Sequence, residues 1–378
     1  LGTSGIQSVH FRTTKEEILT DITVGVSLPK TGRYAESAFL QYSHAYNLWI
    51  DDVNAAGGLL GRQLKLVWLD DEGDGDKCAA NYNQLINDDK VDLLLGPCHS
   101  VLIEPAAPVI EEGKMVMLEG SGSVTDMFRK GREWLFLCWG ADRDYMQSFL
   151  EFMKSSANPK SVTKVAVIGA ARPRGGGHIF GVEYHTEKMG LDLVFNERLG
   201  KPPVDYDDLL ARAYASNPDV LLWDLEGREP DADGAMDKAL AAGFVPSQIW
   251  LSDNPTQRGN QPSGLFMRCT WLASVPRPSS LSFIERFKKA NGYEPEYHSA
   301  GGYACGEVMA QAVAATGSLD NTVLREAILK MQFDTILGVH GFDKDGVING
   351  PFPVAQWQNG NVEIVYPADV KSKDAIFG

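Results

Sequence analysis

The sequence predicts an α/β fold built as two successive parallel-sheet blocks with helices on both faces of each. Three observations carry that expectation. Apolar runs of strand length alternate with amphipathic runs of helix length along most of the chain. The alternation runs through twice, with a break near Cys138–Asp142. The chain has 378 residues, more than one hydrophobic core of usual size accommodates.

The strand-like runs are DITVGVSLP (21–29), QLKLVWLD (63–70), VDLLLG (91–96), MVMLEG (115–120), KVAVIGA (164–170), LDLVFNERL (191–199), DVLLWD (219–224) and QIWLSD (248–253). Between the first two, Phe39, Tyr42, Tyr46, Trp49 and Val53 recur at three- and four-residue steps and Gly57-Gly58 stops the pattern, so a helix fills the crossover. The same βαβ unit recurs with helices expected over 78–88, 100–113, 145–156, 206–216 and 234–244. After FMRCTWLASVPRP (266–278) come three helical stretches, around 280–291, 299–316 and 320–332. A turn-rich tail follows, in which WQNGNVEIVY reads as a hairpin turning through Asn359-Gly360.

Composition narrows the function classes. Hydrophobic residues make up 44% and charged residues 22% of the chain, as in a globular protein. No apolar run approaches the roughly 18 residues of a spanning helix. Fifty acidic against thirty-five basic residues give a formal charge of −15, which repels a phosphate backbone and argues against nucleic acid as a partner. The chain opens at Leu1 with neither Met nor an apolar leader, as after removal of a signal peptide or after trimming, and this alone does not choose a compartment.

The five cysteines (78, 98, 138, 269, 305) include no CxxC, and the seven histidines show no HExxH, so no metal site is expected. Cys78 and Cys98 are compatible with a disulfide or with two buried thiols. No nucleotide cofactor is expected either, since the glycines of GAARPRGGGHIFG (169–181) form neither GxGxxG nor GxxxxGK[ST]. Asp70, Asp71, Asp74 and Asp76 lack the calcium-loop pattern and read as a solvated acidic turn.

In an open doubly wound sheet, ligands bind beyond the carboxyl ends of the strands, where loops lead into helix N-termini. That rule selects 29–38, 70–76, 96–100 and 120–125 in the first block, and 169–181, 200–205, 223–230 and 252–260 in the second. The break Gly96-Pro97-Cys98-His99-Ser100 places backbone amides and a helix dipole where an anion would sit. EGSGSVTD (119–126) does the same, with Ser121, Gly122 and Ser123 expected to expose N–H groups and hydroxyls; N-capping by Ser100, Ser123 or Thr125 is the competing explanation. Ser100 lacks the G-x-S-x-G elbow, and Cys98 and His99 are adjacent residues whose side chains ordinarily point apart, so no catalytic pairing is expected. Tyr34, Tyr145, Phe180, Trp223, Glu226 and Asp253 complete the candidate ligand contacts, with Arg172 and Arg174 as loop cations and Trp223 equally suited to the core.

The stretches ITVGVSLPKTGRYAE, WIDDVNAAGGLLGRQLKLVWLDDEGD, LLLGPCHSVLIEPAAPVIEEGKMVMLEGSGSVTDM, GGYACGEVMAQAVAATGS and GVHGFDKDG occur in that order. Together they resemble the type I periplasmic solute-binding proteins of ABC importers, in the leucine/isoleucine/valine-binding protein family. The resemblance implies two Rossmann-like lobes joined by a three-crossover hinge, with residues 20–140 and 276–342 in the N-terminal lobe and 141–275 and 343–378 in the C-terminal lobe. It further implies a monomer in the periplasm that closes on a small molecule and presents it to a membrane permease, without cofactor, metal or catalysis. On the same resemblance Ser100 and Ser123 hold a ligand carboxylate, Ser121 offers backbone contact, His99 and Gly122 adjoin them, and Phe180 stands in for a second-lobe tyrosine. The family's ammonium-binding glutamate falls, counting back from Pro276, on Cys269, which points to an organic acid without an α-ammonium, such as an aromatic acid, unless Asp224 or Glu226 substitutes. The alternatives are binding of branched-chain or other amino acids, or a ligand-sensing domain of the same fold.

Overall fold

The computed structural model describes residues 20–155, 158–170, 173–200, 203–224, 234–252, 261–350 and 352–377. In the first lobe β1 (Ile22–Leu28), β2 (Leu64–Asp70), β3 (Leu93–Leu95), β4 (Met117–Glu119) and β5 (Leu135–Leu137) form a wholly parallel sheet in the order β2-β1-β3-β4-β5. Helices α1 (Leu40–Ala55), α2 (Gly75–Asn87), α3 (Ser100–Gly113) and α4 (Thr125–Arg129) fill its crossovers. The sequence reading missed β5 and α4; each is too short for its period to show.

The chain then crosses to a second lobe. There α5 (Gln147–Lys154), β6 (Lys164–Ala170), α6 (Pro173–Met189), β7 (Asp192–Leu199), α7 (Tyr206–Ala215), β8 (Val220–Trp223), α8 (Ala235–Ala242), β9 (Ile249–Leu251) and β10 (Phe266–Arg268) follow in turn. It returns to pack α9 (Pro278–Asn291), α10 (Tyr297–Thr316), α11 (Asn321–Ile328) and the small antiparallel sheet β11 (Phe333–Thr335), β12 (Gly338–Phe342), β13 (Ile348–Asn349) against the first-lobe core. A third passage ends in the hairpin β14 (Val354–Gln358) and β15 (Asn361–Tyr366), which completes a sheet of order β15-β14-β10-β9-β8-β6-β7. Asn359 and Gly360 turn it with φ of 53° and 84°, the conformation the Asn-Gly pair predicts. Two Rossmann-like lobes joined by three crossovers result.

Strand order places the crevice. In the first sheet the direction of winding reverses between β1 and β3, and in the second between β6 and β8, so the loops leaving those four strands border the interlobe space. One expectation there needs correction. Of the expected loop 169–181, residues 173–181 are helical, because Pro173, whose fixed φ suits a first helical position, starts α6, and the glycines that follow stay inside it. The acidic turn is not wholly solvated either: Asp71 is fully buried and accepts bonds from the Ser27 hydroxyl and the Gly73 amide, while Asp74 caps α2. All five cysteines are buried thiols, including Cys78 and Cys98, so the disulfide alternative is not realised. Among the described residues no helix is long and apolar enough to cross a membrane.

Candidate functional site

The first-lobe wall is built by the loops after β1, β3, β4 and β5 and the start of α10. Glycine packing brings α10 there: a Cβ at Gly301 would lie 2.1 Å from the Gly120 carbonyl oxygen, and one at Gly306 would lie 2.3 Å from the Trp49 ring, so both positions need hydrogen as a side chain. The result is a continuous row of rings. Tyr34 lies 4.5 Å from His99, His99 5.6 Å from His298, His298 4.0 Å from Tyr297, and Tyr297 6.0 Å from Trp139, centroid to centroid. Tyr34 and His99 were expected here. Trp139, Tyr297 and His298 were not, because nothing local in the sequence ties them to the β3 loop.

Ser100 opens α3 and is buried, and its hydroxyl has no hydrogen-bond partner among the described residues. The capping explanation for the serines fails. The N-cap of α3 is His99 and that of α4 is Val124, neither with a side-chain cap, and the Thr125 hydroxyl donates instead to Asp142. The β4 loop also departs from expectation. The amides of Ser121 and Gly122 both donate to Oε2 of Glu119 at 2.9 Å, so they are not presented to a ligand. Glu119 is completely buried, and desolvation raises its carboxyl to about 7. Its signal was a lone acid closing the apolar run MVMLEG. Gly122 is required by shape, since a Cβ would lie 2.1 Å from Ile103 Cδ1. Ser123 is buried at the same loop, and its carbonyl accepts the Asp142 amide at 2.8 Å.

In the second lobe, Tyr145 is buried with the His178 ring 5.2 Å away and the Arg268 guanidinium over its face at 4.2 Å. His178 Nδ1 lies 3.1 Å from Asp224, whose other oxygen accepts the Ser252 hydroxyl at 2.7 Å. Asp142 stands between the lobes: it accepts from Thr125, and its Oδ2 would lie 2.0 Å from a Cβ at Gly177 of α6. Burial raises the Asp142 carboxyl, against the lowering influence of His178.

The remaining candidates separate from this cluster. Phe180 is not at the start of α6 but in its second turn, exposed, with the Arg129 guanidinium 5.9 Å from its ring. Trp223 is fully buried beside Tyr206 in the second-lobe core, the structural one of its two readings. Cys269 faces a small core with Leu272, Val275, Ala355 and Ile364, so the inference drawn from a missing carboxylate there loses its basis. Its neighbour Arg268 faces Tyr145 instead, as the two-residue alternation of a strand requires. Glu226, Asp253 and Arg172 lie outside the described residues, as does the Arg174 side chain.

Comparison with known proteins agrees with this architecture. The profile of the periplasmic binding protein family matches residues 21–361. An "Amino acid binding protein" of Pseudomonas aeruginosa is 25% identical over 348 residues, covering 90% of this chain and 91% of that one. A crystal structure described as a putative branched-chain amino acid ABC transporter from Rhodospirillum rubrum superposes with a TM-score of 0.77 at 20% identity, over 91% of this chain and all of that one. A solute-binding protein from R. palustris in complex with benzoate superposes with a TM-score of 0.65 at 18% identity, over 91% and 95% of the two chains. By sequence profile and by its two-lobe fold, the chain belongs to the periplasmic binding protein family.

Proposed function

We propose that this protein is the extracytoplasmic solute-binding component of an ABC importer. In this reading it works in the periplasm as a monomer, captures a small carboxylate-bearing organic molecule between its lobes, and hands it to a membrane permease without transforming it. The observation that carries the reading is the buried Ser100 hydroxyl, at the positive end of α3 and with no partner among the described residues. A ligand carboxylate would accept from it. Arg268, over Tyr145 in the second lobe, would supply a cation on closure, and the ring row of Tyr34, His99, His298, Tyr297 and Trp139 favours an aromatic or otherwise flat apolar body. Closure is then a population shift toward the state in which both walls touch the ligand.

An amino acid is the second reading. It is favoured by the printed name of the Pseudomonas relative and by the core position of Cys269, which removes the objection raised from the sequence. A thermal-shift screen of aromatic acids, amino acids, amides and urea separates the two, because a solute that binds only the folded state raises its melting temperature. Aromatic acids are expected to shift the melt. A response confined to amino acids would select the second reading, and a response confined to uncharged amides would remove the carboxylate from both.

A further inference from the structure

The geometry points to a metal-binding site at the floor of the first-lobe wall, in which Cys98, His99 and His298 bind one thiophilic divalent cation of the zinc class. One donor atom from each residue lies within 4.8 Å of the other two. Donors around a tetrahedral zinc stand about 3.5 Å apart, so the cluster has to contract by about 1 Å to grip an ion, a rotamer adjustment rather than a refolding. A thiolate with two imidazoles is a donor set that zinc takes readily and calcium or magnesium does not.

The backbone explains how neighbouring residues in sequence share one site. His99 has φ 70° and ψ 135°, a conformation that a bulky side chain rarely adopts, and with it the imidazole and the Cys98 thiol fall within reach of one another. The third donor arrives through the Gly120–Gly301 contact that seats α10. Ser121 reinforces the loop from outside: it accepts the His99 amide at 3.4 Å and donates to the Cys98 sulfur at 3.9 Å, where a hydrogen bond favours the thiolate. Cys98 and His298 are buried and His99 is half-buried in the row of rings. A three-ligand ion of this kind keeps an exchangeable position, which a solute carboxylate or amine can fill.

The test uses the full chain, stripped with EDTA and kept reduced. Zinc titrated calorimetrically is expected to bind at one ion per chain, and Co²⁺ is expected to give a thiolate-to-cobalt charge-transfer band with tetrahedral d–d absorption. Cys98→Ser should abolish that band, His298→Ala should weaken zinc by about 10-fold or more, and Cys269→Ala, altered in the second-lobe core, should leave both unchanged. Circular dichroism melts of each variant check that it folds. Substoichiometric zinc, a cobalt spectrum without the thiolate band, or zinc affinity indifferent to Cys98→Ser in a folded variant overturns the assignment. The organic-solute reading is scored separately: if EDTA-stripped protein still melts higher with a solute while binding no zinc, the metal site fails and that reading stands.

Discussion

Asp142 accepts hydrogen bonds from both the amide (3.0 Å) and the hydroxyl of Thr125, which ties the first interlobe crossover to the loop that carries Ser123. The tie is reciprocal, since the Asp142 amide donates to the Ser123 carbonyl at 2.8 Å and the Arg143 amide to the Thr125 hydroxyl at 3.2 Å. The crossover and the Ser123 loop are therefore held together by hydrogen bonds running both ways. Asp142→Ala should lower the unfolding free energy by about 2 kcal/mol, because it leaves a buried amide without an acceptor, and Asp142→Asn should restore most of it by keeping one. Urea denaturation of the three proteins checks this; equal midpoints would detach the crossover from the loop.

Glu119 gives stability a defined pH dependence. The unfolded chain loses this proton near 4.5, the folded one near 7, so between those values the folded state holds more proton and stability falls as pH rises. The full effect is on the order of 3 kcal/mol, complete a little above pH 7. Glu307, pushed up to about 8 by burial, adds a decline of the same sign. Glu119→Gln retains an oxygen that can accept from Ser121 and Gly122 but cannot ionise. Its denaturation midpoint should fall less between pH 5 and pH 8 than that of the wild type, leaving the Glu307 part. A variant whose midpoint falls as steeply as wild type would show that Glu119 does not titrate this way.

Gly301 is predicted to be intolerant of any side chain. A methyl group there would meet the Gly120 carbonyl oxygen at 2.1 Å, backbone against backbone, with no rotamer to relieve it. Gly301→Ala should cost about 1–3 kcal/mol and displace His298 and Tyr297, so affinity for the captured solute falls along with the melting temperature. Gly317→Ala is the comparison: it has open space around it, and its cost comes only from its positive φ of 65°. A smaller loss at position 301 than at 317 would contradict the close approach.

Period and punctuation made most of this architecture legible. The alternation located eight strands of the two large sheets to within about two residues, and the helix expected over 100–113 spans Ser100–Gly113. The loop before Ser100 stood out because a strand ending in Gly-Pro before a helix exposes amides wherever it occurs, and the structure leaves the Ser100 hydroxyl buried and without a partner among the described residues. The ring row was not, since Trp139, Tyr297 and His298 join Tyr34 and His99 only through the packing of α10. Cys269 was reached by counting back from Pro276, and a count along the sequence does not show which way a side chain faces; here it faces core. The Cys98–His99 pair was set aside on ordinary backbone geometry, and His99 does not have ordinary geometry.

Arg268 should set the charge preference of the site. Its guanidinium lies over Tyr145 in the second lobe, and if it faces the captured solute as proposed, Arg268→Gln is expected to weaken binding of an acid by about 10-fold or more while changing the affinity for the matching neutral amide little. Paired titrations of acid and amide read this directly. Equal losses for both would make Arg268 a packing residue.

The central claim is that Ser100 grips a solute between the lobes. Isothermal titration of wild type and Ser100→Ala with the solute that most raises the melting temperature tests it. The expected result is one site per chain in the wild type and binding at least about 10-fold weaker in the variant, whose unliganded melt is unchanged to within about 1 kcal/mol. Affinity that is the same in both proteins would contradict the claim.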